Sequence, residues 1–264
     1  MGFCLLLAAW VVAQPVVNMH ARPSADASVV SQAIYAAPVT LREVSGEWGR
    51  IETADGYPGW VELRSIKECA YGSGRLAWVD WVAAHLYREP DVTKHAPVLT
   101  LPYDARLEVA GGDGERWIEV RLVEGGTAWV QRGDLRFDDA PISIGQMLEV
   151  ARRFLGRPYT WGGTSSFGFD CSGFTQTVFR RRGIVLPRDS GPQSRWEGAV
   201  AVSRAALQPG DLLFFGEKRV THTGIYLGGG EFIHATAHEF PRIQISRLDS
   251  KHWSERLLGC RRPR

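Results

Sequence analysis

The stretch Tyr159-Thr-Trp-Gly-Gly-Thr-Ser-Ser-Phe-Gly-Phe-Asp-Cys-Ser-Gly-Phe174 is a glycine-rich loop that delivers Cys171 to the start of an apolar-periodic segment. The periodicity predicts a helix from Ser172 to about Arg182. At a helix start the orphan backbone N–H groups and the positive end of the dipole favour an anion, so Cys171 is expected as a thiolate, the reactive form. Two histidines follow in short β-rich runs, His222 in Thr221-His-Thr-Gly224 and His234 in Phe232-Ile-His234. Nucleophile, base and a group that orients the base, in that order, suit amide cleavage by a cysteine. The backbone N–H of Cys171 would then meet the charge that develops on the carbonyl oxygen.

Around this core the periodicity is first helical and then β. Ile144, Met147, Leu148, Ala151, Phe154 and Leu155 predict an amphipathic helix over Ser143 to Leu155, capped by Ser143 and stopped by Gly156. Asp211-Leu-Leu-Phe-Phe215, Thr223-Gly-Ile-Tyr-Leu227, Glu231-Phe-Ile-His234 and Ile243-Gln-Ile245 read as antiparallel strands, with Gly228-Gly-Gly230 as a hairpin turn. Helices followed by strands make residues 141–264 an α+β domain. No metal or other cofactor is called for. His234 and His238 have the spacing of a helical metal pair, but Glu231-Phe-Ile-His234 reads as strand and no glutamate lies between them. Gly162-Gly163 lacks the lysine of a phosphate loop.

The N-terminal half repeats. Glu47-Trp-Gly-Arg-Ile-Glu-Thr53 and Gly59-Trp-Val61 recur as Arg116-Trp-Ile-Glu-Val-Arg-Leu122 and Ala128-Trp-Val130 at one common offset. Alternating short strands and turns such as Asp55-Gly56 and Gly125-Gly126 predict two small β-barrels, over 14–68 and 75–137. Their tryptophans are expected mainly in the cores, since an indole buries a large area. Tyr57 reads equally as a barrel residue or as a ligand group. The period changes after Asp138-Asp-Ala-Pro141, a domain boundary.

Composition bounds the rest. With 264 residues, 44% of them hydrophobic, the chain is long enough for two or three cores. Lys plus Arg of 31 against Asp plus Glu of 29 leaves a net charge of +2, no basic field for nucleic acid. Arg261, Arg262 and Arg264 are expected as a solvated tail. The apolar run Phe3 to Val12 is too short for a bilayer span and resembles a signal-peptide core, with Met1 to Ala13 removed on export; the alternative is a buried leading strand and a cytoplasmic protein. Cys4, Cys69, Cys171 and Cys260 form neither a disulfide scaffold nor a zinc site, leaving only Cys69 with Cys260 as a conceivable pair.

Six motifs in order, Tyr159-x-Trp-Gly-Gly, Asp170-Cys-Ser-Gly173, Pro187-Arg-Asp-Ser190, Gln208-Pro-Gly-Asp-Leu212, His222-Thr-Gly224 and Phe232-Ile-His-Ala235, resemble the NlpC-type cell-wall cysteine peptidases, a papain-like clan. The preceding repeats resemble bacterial SH3-like domains. The resemblance implies two all-β SH3-like barrels followed by an α+β papain-like peptidase domain. It also implies a γ-D-glutamyl-L-diamino acid endopeptidase of the dipeptidyl-peptidase VI type, with peptidoglycan stem peptides or muropeptides as substrate. The matching positions make Cys171 the nucleophile, His222 the general base, His234 the residue that holds it and Tyr159 the tyrosine facing the oxyanion. Members with SH3-like domains ahead of the peptidase resemble enzymes that require a free N-terminal L-Ala. Its ammonium would fall to Asp170 and Tyr57, with Ser172, Asp189 and Ser190 as pocket wall. Two other classes remain on sequence alone: a wall-binding protein with an inactive domain, and an acyltransferase using the same thioester.

Overall fold

The computed structural model describes residues 9–111 and 116–264. The chain divides into two compact units, Met1–Asp139 and Ala140–Arg264. Among the described residues no helix is long and apolar enough to cross a membrane.

Among its described residues the first unit is built of β-strands, with two short 3-10 turns at Leu63–Ser65 and Arg132–Asp134. Strands β1 (Ala9–Val12), β2 (Val16–His20), β3 (Val29–Ile34), β4 (Pro38–Ser45), β5 (Trp48–Glu52), β6 (Pro58–Glu62) and β7 (Ile66–Cys69) form one antiparallel sheet in the order β3-β2-β6-β5-β4-β1-β7. Strands β8 (Leu76–Val79), β9 (Ala83–Tyr87), β10 (Leu99–Pro102), β11 (Arg106–Gly111), β12 (Trp117–Arg121), β13 (Thr127–Gln131) and β14 (Leu135–Arg136) form a second, in the order β10-β9-β13-β12-β11-β8-β14. Each strand of the first order maps onto one of the second, so the repeat read from the tryptophans is a repeat of topology. It reaches the backbone: Ala36 and Asp104, each just after a tyrosine, both adopt positive φ, 55° and 69°.

The tryptophans do not fill the cores. Val12, Val17, Met19, Ile51, Val61 and Ile66 line the first, and Leu86, Leu101, Leu107, Ile118, Val120 and Val130 the second. Trp48, Trp60, Trp117 and Trp129 are half-buried. The pleat decides this: with Gly49 and Ile51 inward, Trp48 and Arg50 must face out, and Arg50 pairs across the sheet with Trp60. Space decides it too, since even a Cβ on Gly59 would stand 2.7 Å from Met19 Cβ.

The expected leader also meets the sheet. Residues 1–8, with Cys4, lie outside the described residues, but β1 pairs with β4 and β7, and Val11 and Val12 are buried at 3% and 0% exposure. Its counterpart β8 holds the same place in the second sheet. The first sheet therefore begins before residue 14, and the leading-strand alternative describes Ala9–Val12.

The second unit comprises α1 (Ile144–Arg153), β15 (Thr164–Ser165), β16 (Gly168–Phe169), α2 (Cys171–Arg180), α3 (Ser190–Arg195), β17 (Ala199–Val202), β18 (Leu212–Gly216), β19 (Val220–Gly228), β20 (Glu231–Thr236), β21 (Arg242–Arg247), α4 (Lys251–Ser254) and β22 (Leu257–Pro263). Ser143 and Gln146 close a capping box on α1, and Gly156 follows the helix at φ 81°. Met147, Leu148 and Ala151 are buried as the period predicts, whereas Ile144 and Leu155 are exposed. β17 to β22 make one antiparallel sheet, β17-β22-β18-β19-β20-β21, against which α2 packs.

β22 overturns the expected arginine tail for Arg261 and Arg262, whereas Arg264 follows the strand and is exposed. The strand runs inside the sheet between β17 and β18. Arg262 donates Nε and Nη2 to the two carboxylate oxygens of the buried Asp211 at 2.7 and 2.8 Å, and Arg261 donates to the carbonyls of Trp196 and Ala199. Carboxylate and carbonyl partners from distant segments, invisible in a local charge count, draw these arginines into the fold.

Candidate active site

The glycines of the opening stretch set where Cys171 can stand. A side chain on Gly163 would strike the carbonyl oxygen of Gly168, and one on Gly173 would strike that of Gly163. The loop backbone therefore lies directly against the first turn of α2. The Asp170 carboxylate caps that turn, accepting from Gly173 N–H at 2.7 Å. Its two oxygens also accept from Arg188, at 3.0 Å from Nη1 and 2.6 Å from Nη2, and Nη1 reaches Ser172 Oγ at 3.1 Å. Arg188 is buried, so the pair is a desolvated fork that locks the start of the helix to the loop before α3. Gln193, fully buried, adds a second tie by donating to the carbonyls of Ser172 and Pro187.

Across from α2, β19 brings the first histidine. The Cys171 thiol faces the Thr221 carbonyl at 4.0 Å, one residue before His222. His222 Nε2 and His234 Nδ1 share a hydrogen bond of 2.7 Å, and His234 Nε2 lies 3.0 Å from Ser246 Oγ. Gly224 makes the approach of β19 and β20 possible: a Cβ there would stand 2.9 Å from the Phe232 ring and 3.1 Å from His234 Cβ. Trp253 of α4 closes the group, its ring stacked on His222 at 5.1 Å and edge-on to His234 at 4.7 Å.

Burial dominates the electrostatics. Cys171 is 7% exposed, and desolvation pushes its thiol up to about 12, helped by the Asp170 charge. Backbone N–H groups of Thr223 and Ser172 and the Arg188 charge pull the other way and are outweighed. Desolvation likewise pushes the half-buried His222 down to about 3 and holds the fully buried His234 well below its ordinary value. The thiolate expected from the helix start is thus offset, since burial favours the neutral thiol at Cys171 and the neutral imidazole at His222. Tyr159, half-buried, is raised by burial and by the neighbouring Cys171 and Asp170, so its phenol keeps its proton as a donor.

Of the residues singled out in the sequence, Tyr159, Asp170, Cys171, Ser172, His222 and His234 therefore gather at one end of α2. Asp189 is exposed and Ser190 half-buried at the start of α3. Tyr57 belongs to the first unit, in the β5–β6 hairpin, where its carbonyl accepts from Thr53. Sequence reasoning gave no part to Arg188, Ser246 or Trp253. Arg188 lay inside a quoted motif, whereas Ser246 and Trp253 carry no local signal, their placement being set by strand register and by α4. Cys69, Cys171 and Cys260 are free thiols, so no Cys69–Cys260 bond is present.

The model of the NlpC/P60 family matches residues 156–262, and that of the bacterial dipeptidyl-peptidase SH3 domain matches residues 19–66. A gamma-D-glutamyl-L-lysine dipeptidyl-peptidase of Bacillus cereus is 35% identical over 253 residues, covering 88% of this chain and 74% of that protein. One from Bacillus subtilis is 28% identical, over 90% and 82%. The crystal structure of an NlpC/P60 family protein from Bacillus cereus superposes with a TM-score of 0.86 at 28% identity, covering 97% of this chain and 99% of that one. With Cys171 seated at the head of α2 beside the histidine-bearing strands, and with such relatives along most of its length, the chain belongs to the NlpC/P60 family of cysteine peptidases, hydrolases of peptide bonds, and carries a bacterial dipeptidyl-peptidase SH3 domain ahead of the peptidase unit.

Proposed function

We propose that the chain hydrolyses the γ-D-glutamyl-L-diamino acid bond of peptidoglycan stem peptides and requires a free N-terminal L-Ala. The observation that carries this reading is the Cys171, His222, His234 arrangement at the head of α2, within a chain related over most of its length to enzymes named for the γ-D-glutamyl-L-lysine bond. The same-order repeat supports reading β8 to β14 as a second SH3-like barrel.

In the first half-reaction His222 takes the Cys171 proton as sulfur attacks the carbonyl carbon, burial favouring the neutral form of both groups beforehand. The backbone N–H of Cys171 and the Tyr159 hydroxyl stabilise the oxyanion. Collapse breaks the C–N bond, the imidazolium of His222 gives its proton to the leaving amine, and an acyl-enzyme remains. His222 then deprotonates water, which attacks the thioester and releases L-Ala-γ-D-Glu and the thiol. Asp170, Ser172, Asp189 and Ser190, all in the second unit, form the proposed site for the L-Ala ammonium. Asp170 shares its charge with Arg188, so much of the selectivity comes from the neutral hydroxyls and the exposed Asp189.

The test is digestion of L-Ala-γ-D-Glu-L-Lys and its diaminopimelate analogue, each free and N-acetylated, with products identified by mass spectrometry. Release of the L-Ala-γ-D-Glu dipeptide is expected, with kcat/KM reduced about tenfold or more by acetylation, from the lost charge-assisted contact alone. Cleavage at another bond would overturn the substrate, and equal cleavage of free and acetylated peptides would remove the amine requirement.

A further inference from the structure

We infer that Ser246 is a positioning residue of the active site: its hydroxyl oxygen accepts the Nε2 proton of His234 and so fixes the tautomer in which His222 presents a bare Nδ1 to the thiol. The inference rests on the reading of His222 as the base.

Two neutral imidazoles in a row hold two protons and can be arranged in two senses. In the outward sense His222 donates Nε2–H to His234 Nδ1, and His234 donates Nε2–H to Ser246. His222 Nδ1 then carries a lone pair. In the inward sense the Ser246 hydroxyl donates to His234 Nε2 and His234 donates Nδ1–H to His222 Nε2, which leaves His222 protonated at Nδ1 and unable to take a proton there. The 2.7 Å and 3.0 Å contacts fit either sense, because hydrogen positions follow from the partners at the end of the chain.

The role of His222 as base decides between them. Ser246 and Gln244 stand two residues apart on β21 and so share one face of the strand, beside Phe232 and His234 of β20. Gln244 Nε2, which can only donate, lies 3.5 Å from Ser246 Oγ. That contact fits both senses, since a hydroxyl can accept from Gln244 and still donate to His234, but only the outward sense leaves His222 Nδ1 bare for the base role, and it makes Ser246 Oγ the acceptor at the end of the chain. His234 is 0% exposed, so water does not substitute for Ser246 as the end of the chain. Losing that acceptor would strand a buried N–H and shift the balance between the two senses by about tenfold.

The experiment is nitrogen NMR on the full chain carrying ¹⁵N-histidine, with His222 and His234 assigned from the His222→Ala and His234→Gln variants. In the wild type His222 is expected as the Nε2-protonated tautomer. Ser246→Ala should lose that fixed state and lower kcat roughly threefold to tenfold with KM unchanged. Ser246→Thr and Ser246→Val, of equal size and differing by the hydroxyl, control for packing: Thr should keep both the tautomer and kcat, and Val should lose both. Wild-type His222 protonated at Nδ1, or a tautomer unchanged in both the Ala and the Val variant, would overturn the inference. The tautomer is read in resting protein without substrate. A failure to cleave the stem peptide would therefore count against the proposed substrate and leave this result standing on its own.

Discussion

At the scale of single residues, burial and the helix start act on the Cys171 thiol in opposite directions, and burial wins. The rate of alkylation of Cys171 by iodoacetamide should therefore be low at pH 6 to 8 and climb above pH 9. A plateau between pH 4 and 8 that vanishes in His222→Ala would instead reveal a preformed thiolate–imidazolium pair. Cys171→Ala should abolish peptide hydrolysis with the melting temperature nearly unchanged, because only a small side chain is lost. His222→Ala should remove nearly all of kcat, whereas His234→Gln should keep a measurable part, since an amide can still accept from His222 Nε2. Equal losses in steady-state kinetics would mean that the two roles are misassigned. The reacting residues were legible in the sequence because a thiol and imidazoles announce their chemistry. Arg188 and Ser246 were not, because an arginine and a serine acquire their meaning from what stands opposite them.

At the scale of elements, α2 is held by backbone lying on backbone, and one substitution should show it by changing sign with position. Gly173→Ala places a methyl against the Gly163 carbonyl, which cannot rotate away as a side-chain tip would. It should cost about 3 kcal/mol, the upper end for overpacking, and abolish activity. Gly145→Ala in α1 meets nothing nearer than Ser143 Oγ at 4.0 Å and should stabilise by about 0.5 to 1 kcal/mol. Urea denaturation of the two variants checks the contrast, and a neutral Gly173→Ala would show that the loop can yield. Periodicity located α1, α2 and the central strands but not α3 or α4, and it could not say that the Trp48 and Trp117 faces point outward, nor that the run holding Arg261 and Arg262 is an interior strand. Those outcomes depend on the pleat and on Asp211, far from Arg262 along the chain.

At the scale of the whole molecule, stability should fall in acid because the fold refuses protons that the unfolded chain accepts. Free imidazoles titrate near 6.5, while His222 is held down to about 3 and His234 well below its ordinary value. The stabilising contribution of neutral burial is complete above about pH 6.5 and is lost as pH falls toward 3, at up to about 1.4 kcal/mol per pH unit for each histidine. Urea midpoints at pH 7, 6, 5 and 4 should drop in the wild type and less steeply in His234→Gln; parallel curves would exclude His234 as a source. The N-terminal boundary is the other whole-chain question, since an apolar run reads alike as leader core and as leading strand. The identical strand orders of the two sheets favour the strand for Ala9–Val12, whatever precedes it. A chain beginning at Gln14 would lose Val11 and Val12, two buried side chains that contribute about 1.5 to 3 kcal/mol each, together with the ladders to β4 and β7. That loss rivals the total stability of a small domain. A chain beginning at Ala9 keeps every described strand. The Gln14 chain should therefore show a separate low-temperature transition, or proteolysis confined to the first barrel, while the Ala9 chain melts like the full-length protein. Indistinguishable melting of the two would show that β1 is dispensable.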